Sequence, residues 1–424
     1  MRIILKIAII ILAFSANLSA QNDFMALDKR TYDYYLKGDY KNLKIISDTM
    51  LSQGIDYYYL RMRLGVLSFN KQLYSSASDN FTRAIEFNLL DTVSMEYIYN
   101  SYLFSGRSID AVLYLESIPQ EKRTNMLKSI RKPVFSDFFI GSYISGSGGA
   151  IYNPNNLYTE IANNNLSFNA GFESNFTSNF KGTFAFTNFR KTGTIYYDNN
   201  LSTNDLNVIQ NQVYAKLTGY VFPGWEFSGF GHIAFFSDVI HQKSSVIGSP
   251  MNQKNTEYLG GVGISKNGWK IRSGVNISLS NFINSNQLRG EGYLTWLPAG
   301  NLNLYLTSGG MYQTDYNWGK TYQINQEIGF RIIKSLWMES GIIKGNSFLY
   351  ARNQGYLMNN SFLIPTTTIY SSIIILPGKQ LSITITPFLS ENNIYSWDLK
   401  AYKRIDKLTL QSFGGSIKLT YKNR

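Results

Sequence analysis

From residue 134 to the C-terminus, apolar and polar residues alternate with a period of two, and one parity carries Leu, Ile, Val, Phe or Trp in run after run. Successive side chains of a strand point to opposite faces, so this segment reads as sheet with one polar and one apolar face. Trp269, Ile271, Val275, Ile277 and Leu279 alternate with Lys270, Arg272, Asn276, Ser278 and Ser280. Leu302, Leu304 and Leu306 alternate with Asn301, Asn303 and Thr307, and Tyr322, Ile324, Ile328, Phe330 and Ile332 with Gln323, Asn325, Glu327 and Arg331. Each run is about ten residues, the length of a tilted strand crossing a bilayer.

The connections alternate short and long. Tight ones fall at Pro223-Gly224, Asn267-Gly268, Pro298-Ala299-Gly300, Lys334-Ser335 and Pro377-Gly378. Long polar stretches lie between them, at 146–164, 191–206, 239–252, 314–320, 346–361 and 391–407. Short turns at one end and long loops at the other are the rule of outer-membrane barrels. One strand on each side of every connection gives a transmembrane antiparallel β-barrel of about fourteen strands over 134–424. A soluble sandwich or propeller would place charge on its outer face, whereas here that parity is apolar. Trp225, Trp269, Trp296 and Tyr421, near strand ends, fit interfacial girdles. Phe413, Ile417, Leu419 and Tyr421 share one parity, and the C-terminus resembles the closing strand of outer-membrane barrels; it departs from that pattern in the Lys422-Asn423-Arg424 that follows.

Composition removes several chemistries. The chain has no Cys, which excludes structural disulfides, thiolate zinc sites, cysteine nucleophiles and lipoprotein acylation. Only two His are present. Beyond the N-terminus no uninterrupted apolar run is long enough for a membrane helix. At the N-terminus Arg2 and Lys6 precede the apolar run from Ile7 to Phe14 and the small or polar stretch Ser15 to Ala20. That order is a secretory signal peptide over 1–20, cut after Ala20.

Between residues 21 and 133 apolar residues recur at helical spacing, with a 34-residue period. Gly38, Gln72 and Gly106 repeat at that interval, as do Tyr34, Ser68 and Tyr102, and Leu43, Ala77 and Ala111. The middle copy is Leu64-Gly65, Tyr74, Ala77, Phe81 and Ala84-Ile85. These positions resemble the tetratricopeptide signature, which implies an α-solenoid of helical hairpins near 24–57, 58–91 and 92–118. A further helix, opened by Pro119, would cap the last repeat. Tetratricopeptide arrays present a groove to a partner, so the resemblance implies a periplasmic protein partner; a spacer or plug is the other reading. Lys128, Arg131 and Lys132 at the end of the capping helix either complement its dipole or rest on phospholipid headgroups.

No phosphate loop, nucleotide fingerprint or metal-ligand cluster is present, and no cofactor is expected. His241 lies in a long loop near Asp238, Ser244 and Ser245; His232 lies on the inward parity with Glu226. Neither arrangement makes a catalytic triad in sequence, and no enzyme activity is expected. The inward parity carries Lys270, Arg272, Arg289, Glu291, Glu327 and Arg331. These residues either line a pathway that selects ions or sugars, or pair across strands and fill the interior. Of the formal net charge of +12, +8 lies after residue 133. For a barrel in the outer membrane the natural anionic partner is lipopolysaccharide phosphate rather than nucleic acid. Lys400, Lys403, Arg404 and Lys407 in the last outer loop are the contact candidates, with an ordinary solvated loop as the alternative.

In outline the architecture resembles exopolysaccharide-export porins, in which periplasmic tetratricopeptide repeats serve a barrel, although those have longer arrays. The resemblance implies transport or secretion through a barrel whose repeats recruit a partner protein or substrate. The alternative is a non-conducting scaffold or assembly subunit of an outer-membrane complex, and a lipid-modifying enzyme stands a distant third.

Overall fold

The computed structural model describes residues 24–127, 136–148, 158–177, 179–197, 202–242, 251–282, 285–316, 319–347, 350–359, 364–398 and 403–423. The expected signal peptide, the basic stretch Lys128 to Lys132, and Lys400 lie outside them. The chain divides near residue 131 into two compact units.

The first unit is helical: α1 (24–36), α2 (Tyr40–Ser52), α3 (Tyr58–Asn70), α4 (Tyr74–Phe87), α5 (Thr92–Phe104), α6 (Ser108–Ser117) and α7 (Gln120–Leu127). The starts of α1, α3 and α5, and those of α2, α4 and α6, are each 34 residues apart. The punctuation repeats with them. Gly38, Gln72 and Gly106 sit in the left-handed region at φ 68°, 61° and 77°. The next residue in each copy, Asp39, Leu73 or Arg107, donates its N–H over 2.9 Å to the carbonyl of Tyr34, Ser68 or Tyr102. This is a Schellman cap, which satisfies the last carbonyls of a helix and reverses the chain. Asp39 and Asp91 cap the N-termini of α2 and α5 by accepting from the N–H of Asn42 and Val93.

Inside the unit Leu64, Ala77, Phe81, Ala84 and Ala111 are buried. Gly65 lies so close to the Phe81 ring that a Cβ would approach it to 2.7 Å, so α3 and α4 owe their close approach to the missing side chain. Tyr74 packs edge-on against Phe69 and meets Phe104. Arg63 ties α3 to α1 through an ion pair with Asp28 and a hydrogen bond to Thr31.

The second unit is built from β1 (Ser136–Gly148), β2 (Tyr158–Asn175), β3 (Phe180–Tyr197), β4 (Ser202–Tyr220), β5 (Trp225–Gln242), β6 (Met251–Asn267), β7 (Ile271–Phe282), β8 (Ser285–Trp296), β9 (Leu304–Asp315), β10 (Gly319–Ile333), β11 (Leu336–Gly345), β12 (Tyr350–Arg352), β13 (Leu357–Asn359), β14 (Ile364–Ile375), β15 (Leu381–Asp398) and β16 (Lys403–Asn423). All but β12 and β13 close into one antiparallel barrel in chain order, with β1 paired to β16 from Ser136↔Asn423 to Gly148↔Gln411. The barrel therefore has the fourteen strands that the alternating connections predict.

Strand length departs from the expected ten residues, running from 10 in β11 to 21 in β16. The described residues of the stretches expected as outer loops at 146–164, 191–206, 239–252 and 391–407 are strand. The β3–β4 ladder continues to Tyr197↔Ser202 and the β15–β16 ladder to Asp398↔Lys403. A ladder needs only backbone N–H and C=O, so strands extend past the bilayer where both faces are polar and the period-two signal vanishes. At the other margin Leu302 and Asn303 fall in a turn, and β9 begins at Leu304.

Which parity faces out is decided by exposure. In β7, Val275, Ile277 and Leu279 are 58%, 58% and 64% exposed, against 6%, 2% and 4% for Asn276, Ser278 and Ser280. The same sense holds in β1, β2, β10 and β16. A closed sheet leaves no edge, and an outer wall of aliphatic and aromatic side chains takes hydrocarbon as its solvent, so this is a membrane-embedded barrel. Trp296 and Tyr421 are exposed on the wall at strand ends. Among the described residues no helix is long and apolar enough to cross a membrane.

On the inner wall, aromatic rings lie over glycines of neighbouring strands. A Cβ at Gly171, Gly329 or Gly341 would fall 2.5, 2.1 or 2.6 Å from the ring of Phe139, Tyr305 or Tyr370. An aromatic ring covering a cross-strand glycine restores packing that the glycine lacks.

Candidate functional site

The interior of the barrel holds the site, and its wall is a polar network. Arg289 in β8 is 2% exposed and donates from Nη2 to Ser278 Oγ at 2.7 Å. Arg331 in β10 donates to Asn303 Oδ1 at 3.1 Å and lies over the Trp337 ring, 5.1 Å from its centre. Arg272 in β7 shares the inward parity of Asn276. Lys270 is not in a strand: it sits exposed in the turn before β7, where its carbonyl accepts from the N–H of Leu297.

The acids are engaged by phenols and amides. Glu327 in β10 accepts the Tyr370 hydroxyl, and Glu339 in β11 accepts that of Tyr305. Register explains the pairing. Tyr305 stands opposite Gly329, which stands opposite Glu339; Tyr370 stands opposite Gly341, which stands opposite Glu327. Each phenol thus crosses one strand at a glycine to reach a carboxylate two strands away. Glu226 accepts from Asn267 at 2.6 Å and from Ser265 at 3.2 Å, and Lys181 pairs with Glu173.

Glu291 has a different partner. It accepts from Asn276 at 3.1 Å on the wall, and from the backbone N–H groups of Asn353 and Gln354 at 3.2 and 3.4 Å. Those two residues belong to the turn of the β12–β13 hairpin. Within the stretch expected as an outer loop at 346–361, the described hairpin 350–359 therefore faces inward and lays its turn on the barrel wall.

The turn is fixed by contacts to six strands. His232 Nδ1 in β5 is 2.6 Å from the Gly355 carbonyl, and its Nε2 is 3.0 Å from Gln212 in β4. Tyr214 in β4 donates to the Gln354 carbonyl at 3.3 Å, and the Gln354 amide donates to Ser228 in β5 at 3.2 Å. The Tyr356 hydroxyl donates to Asn169 in β2 at 2.8 Å, while its ring stands edge-on to Tyr214 and Phe139. Gly355 sits close to Leu259 in β6 and Phe230 in β5. Asn353, Gln354 and Gly355 all have positive φ, at 55°, 55° and 80°. Two consecutive non-glycine residues in that region persist only where the surroundings hold them.

Around the hairpin the inner wall is packed. Gln210, Glu257, Ser278, Gln287 and Arg289 are each 2% exposed or less. Arg289 and Gln287 meet wall partners of their own, Ser278, Ser280 and Asp315, so this part of the inner wall is a packed polar layer.

Both nitrogens of His232 lie within hydrogen-bonding distance of the Gly355 carbonyl and Gln212, which makes the residue a clamp. His241 falls in β5 rather than in a loop, and its side chain lies outside the described ones. Lys403, Arg404 and Lys407 fall in β16, opposite Asp398, Trp397 and Tyr395, rather than in the last outer loop. No group of three or more His, Cys, Asp or Glu that could hold a metal exists among the described residues.

The hairpin and its cradle of Asn169, Tyr214 and Ser228 are absent from the sequence reading. A signal was present: Tyr350, Tyr356, Leu357 and Met358 are too apolar for a solvated loop, and Asn353-Gln354-Gly355 is turn chemistry.

No protein-family model and no curated protein matches the sequence. Similarity appears only among solved structures, at low identity. A Pseudomonas aeruginosa FadL homologue is 10% identical, with TM-score 0.44, covering 68% of this chain and 90% of its own. The Pseudomonas putida toluene transporter TodX is 7% identical, with TM-score 0.44, covering 73% and 93%. A bacterial polysaccharide outer membrane secretin is 10% identical, with TM-score 0.36, covering 68% and 98%.

Proposed function

We propose that this protein is a channel of the bacterial outer membrane, serving transport or secretion, with its lumen narrowed by the β12–β13 hairpin. The observation that carries the reading is the inward hairpin itself. Ten residues are held among side chains of β1, β2, β4, β5, β6 and β8, inside a closed barrel with an apolar outer wall. A barrel that only anchored another domain would not require a segment held against its inner wall by Glu291 and His232.

In this reading residues 1–20 direct export, and 21–133 form a tetratricopeptide-like array in the periplasm that recruits a partner protein or substrate. The recurrence of caps and helices at 34 residues supports the array. In the same scheme Lys400, Lys403, Arg404 and Lys407 are the lipopolysaccharide contacts; the start of β16 at the long-loop end supports this for the last three.

The test is planar-bilayer conductance of the mature chain beside a variant in which 350–359 is replaced by a short Gly-Ser link. We expect the replacement to raise the unit conductance several-fold. If both proteins are silent while folded, the channel reading fails and the scaffold reading takes its place.

A further inference from the structure

On the outer wall the apolar row of β3 gives way to polar groups at a definite height. Its outward parity runs Phe180, Gly182, Phe184 and Phe186, then Asn188, Arg190 and Thr192. Phe180, Phe186 and Arg190 are exposed on that wall. Arg190 lies ten residues beyond Phe180, where β3 begins at the short-turn end. At about 3.3 Å per residue and a tilt of about 40°, the rise is about 25 Å, the height of the apolar band of an outer-membrane barrel. Arg190 therefore stands where hydrocarbon ends and headgroups begin.

Its surroundings form a cluster of donors. Asn188 stands opposite Asn211 on β4 and donates from Nδ2 to Asn211 Oδ1 at 2.9 Å, and Arg190 donates from Nε to Asn188 Oδ1 at 3.4 Å. Both amide oxygens are thus engaged within the wall. The two terminal nitrogens of Arg190 and the Nδ2 of Asn211 have no partner among the described residues. Arg190 stands across from Leu166 on β2 and Ile209 on β4, and the amide pair lies between Phe168 on β2 and Phe235 on β5; all four are exposed and apolar. No carboxylate is among these neighbours, so the guanidinium charge is left for an anion from outside the wall.

We propose that Arg190, Asn188 and Asn211 form a binding site for a phosphate group on the headgroup of an outer-leaflet lipid, lipopolysaccharide. A guanidinium presents two N–H groups in a fork that matches two phosphate oxygens, and the neighbouring amide supplies a further donor. Charge and depth select the occupant. Lipid phosphates are the anions at the edge of the hydrocarbon, and Leu166, Phe168, Ile209 and Phe235 offer the acyl chains an apolar surface beside the site. The proposal rests on the outer-membrane reading, which puts the long-loop end of β3 at the cell surface. It concerns different strands from Lys403, Arg404 and Lys407 in β16.

The test is retention of bisphosphorylated lipid A by the full mature chain, folded in detergent and weighed by native mass spectrometry. We expect Arg190→Gln to lower the bound lipid about fivefold or more, and Arg190→Lys, which keeps the charge without the fork, to hold an intermediate amount. Lys344→Gln removes an exposed cation of β11 that stands across from Ile324 and Thr367 with no amide opposite it, and retention is expected to be unchanged. Heat-modifiability of each variant reports that its barrel is folded. Lipid A stripped of phosphate should bind the unsubstituted chain no better than it binds Arg190→Gln. Equal losses in Lys344→Gln and Arg190→Gln would overturn the proposal in favour of general interfacial charge, as would equal retention of phosphorylated and stripped lipid. Displacement of lipid A by an equal concentration of inorganic phosphate would overturn it in favour of a free-phosphate site. Retention is read without current and without cell fractionation, so silent bilayers, or a chain found away from the outer membrane, would sink the channel reading by a separate result.

Discussion

Single residues set the angle at which this chain turns. Gly38 and Gly106 pay no side-chain penalty in the left-handed region, but Gln72 occupies the same place in the middle repeat with a Cβ. Gln72→Gly is expected to stabilise the helical unit by about 0.5–1 kcal/mol, and Gly106→Ala to destabilise it by about 1 kcal/mol, in urea unfolding followed by far-ultraviolet dichroism. In the same unit burial of the Tyr57 hydroxyl, reinforced by its hydrogen bond to Asp28, pushes its pKa up to about 12. An unfolded tyrosine ionises near 10. Between those values the unfolded chain has released a proton that the folded chain retains, so the stability Tyr57 confers is complete below about pH 10 and is lost as pH rises toward 12. Burial raises other tyrosines of the helical unit as well, Tyr58 and Tyr99 among them, so the shift of Tyr57 is read from the difference in tyrosinate absorbance between the unsubstituted chain and Asp28→Asn, in which one group should ionise at lower pH. In the barrel Gly329→Val would drive a side chain into the Tyr305 ring, since even a Cβ falls 2.1 Å from it. The expected cost is about 1–3 kcal/mol, read as a lower temperature for the heat-modifiability shift.

At the scale of elements, the hairpin links structure to function. Its turn is held by Glu291 through two backbone N–H groups and by His232 through one carbonyl. Glu291→Ala removes both acceptors and leaves three consecutive positive-φ residues without their support. We expect more frequent transitions to a high-conductance level in single-channel records, with the folded fraction unchanged; records identical to those of the unsubstituted chain would show that the remaining contacts suffice. The long strands belong to this scale too. Period-two alternation is visible only where one face meets lipid and the other water, so the middles of β7, β9 and β10 were legible while the polar ends of β3, β4, β15 and β16 read as loops. The lumen candidates were legible as a parity, and Arg272, Arg289, Glu291, Glu327 and Arg331 do lie in strands on it. The partners were not: that Tyr305 reaches Glu339 across Gly329 depends on register between three strands, which a single strand's pattern does not contain.

For the molecule as a whole, the chain's own order determined a helical part with a 34-residue period, a barrel of fourteen strands and which faces are apolar. It did so because repeated caps, strand parity and turn chemistry are local properties, each readable within a few residues. On that basis the exported protein should begin at Gln21 and fractionate with the outer membrane, which N-terminal sequencing of the membrane-bound form will check. Whether the bore is open or filled was beyond the sequence. That depended on the 350–359 hairpin meeting Glu291, His232, Tyr214 and Asn169, which converge on its turn from four separate strands. Polar residues of a loop carry the same pattern whether water or a lumen wall satisfies their hydrogen bonds, and only the closed sheet, by bringing those strands within reach at once, decides between them.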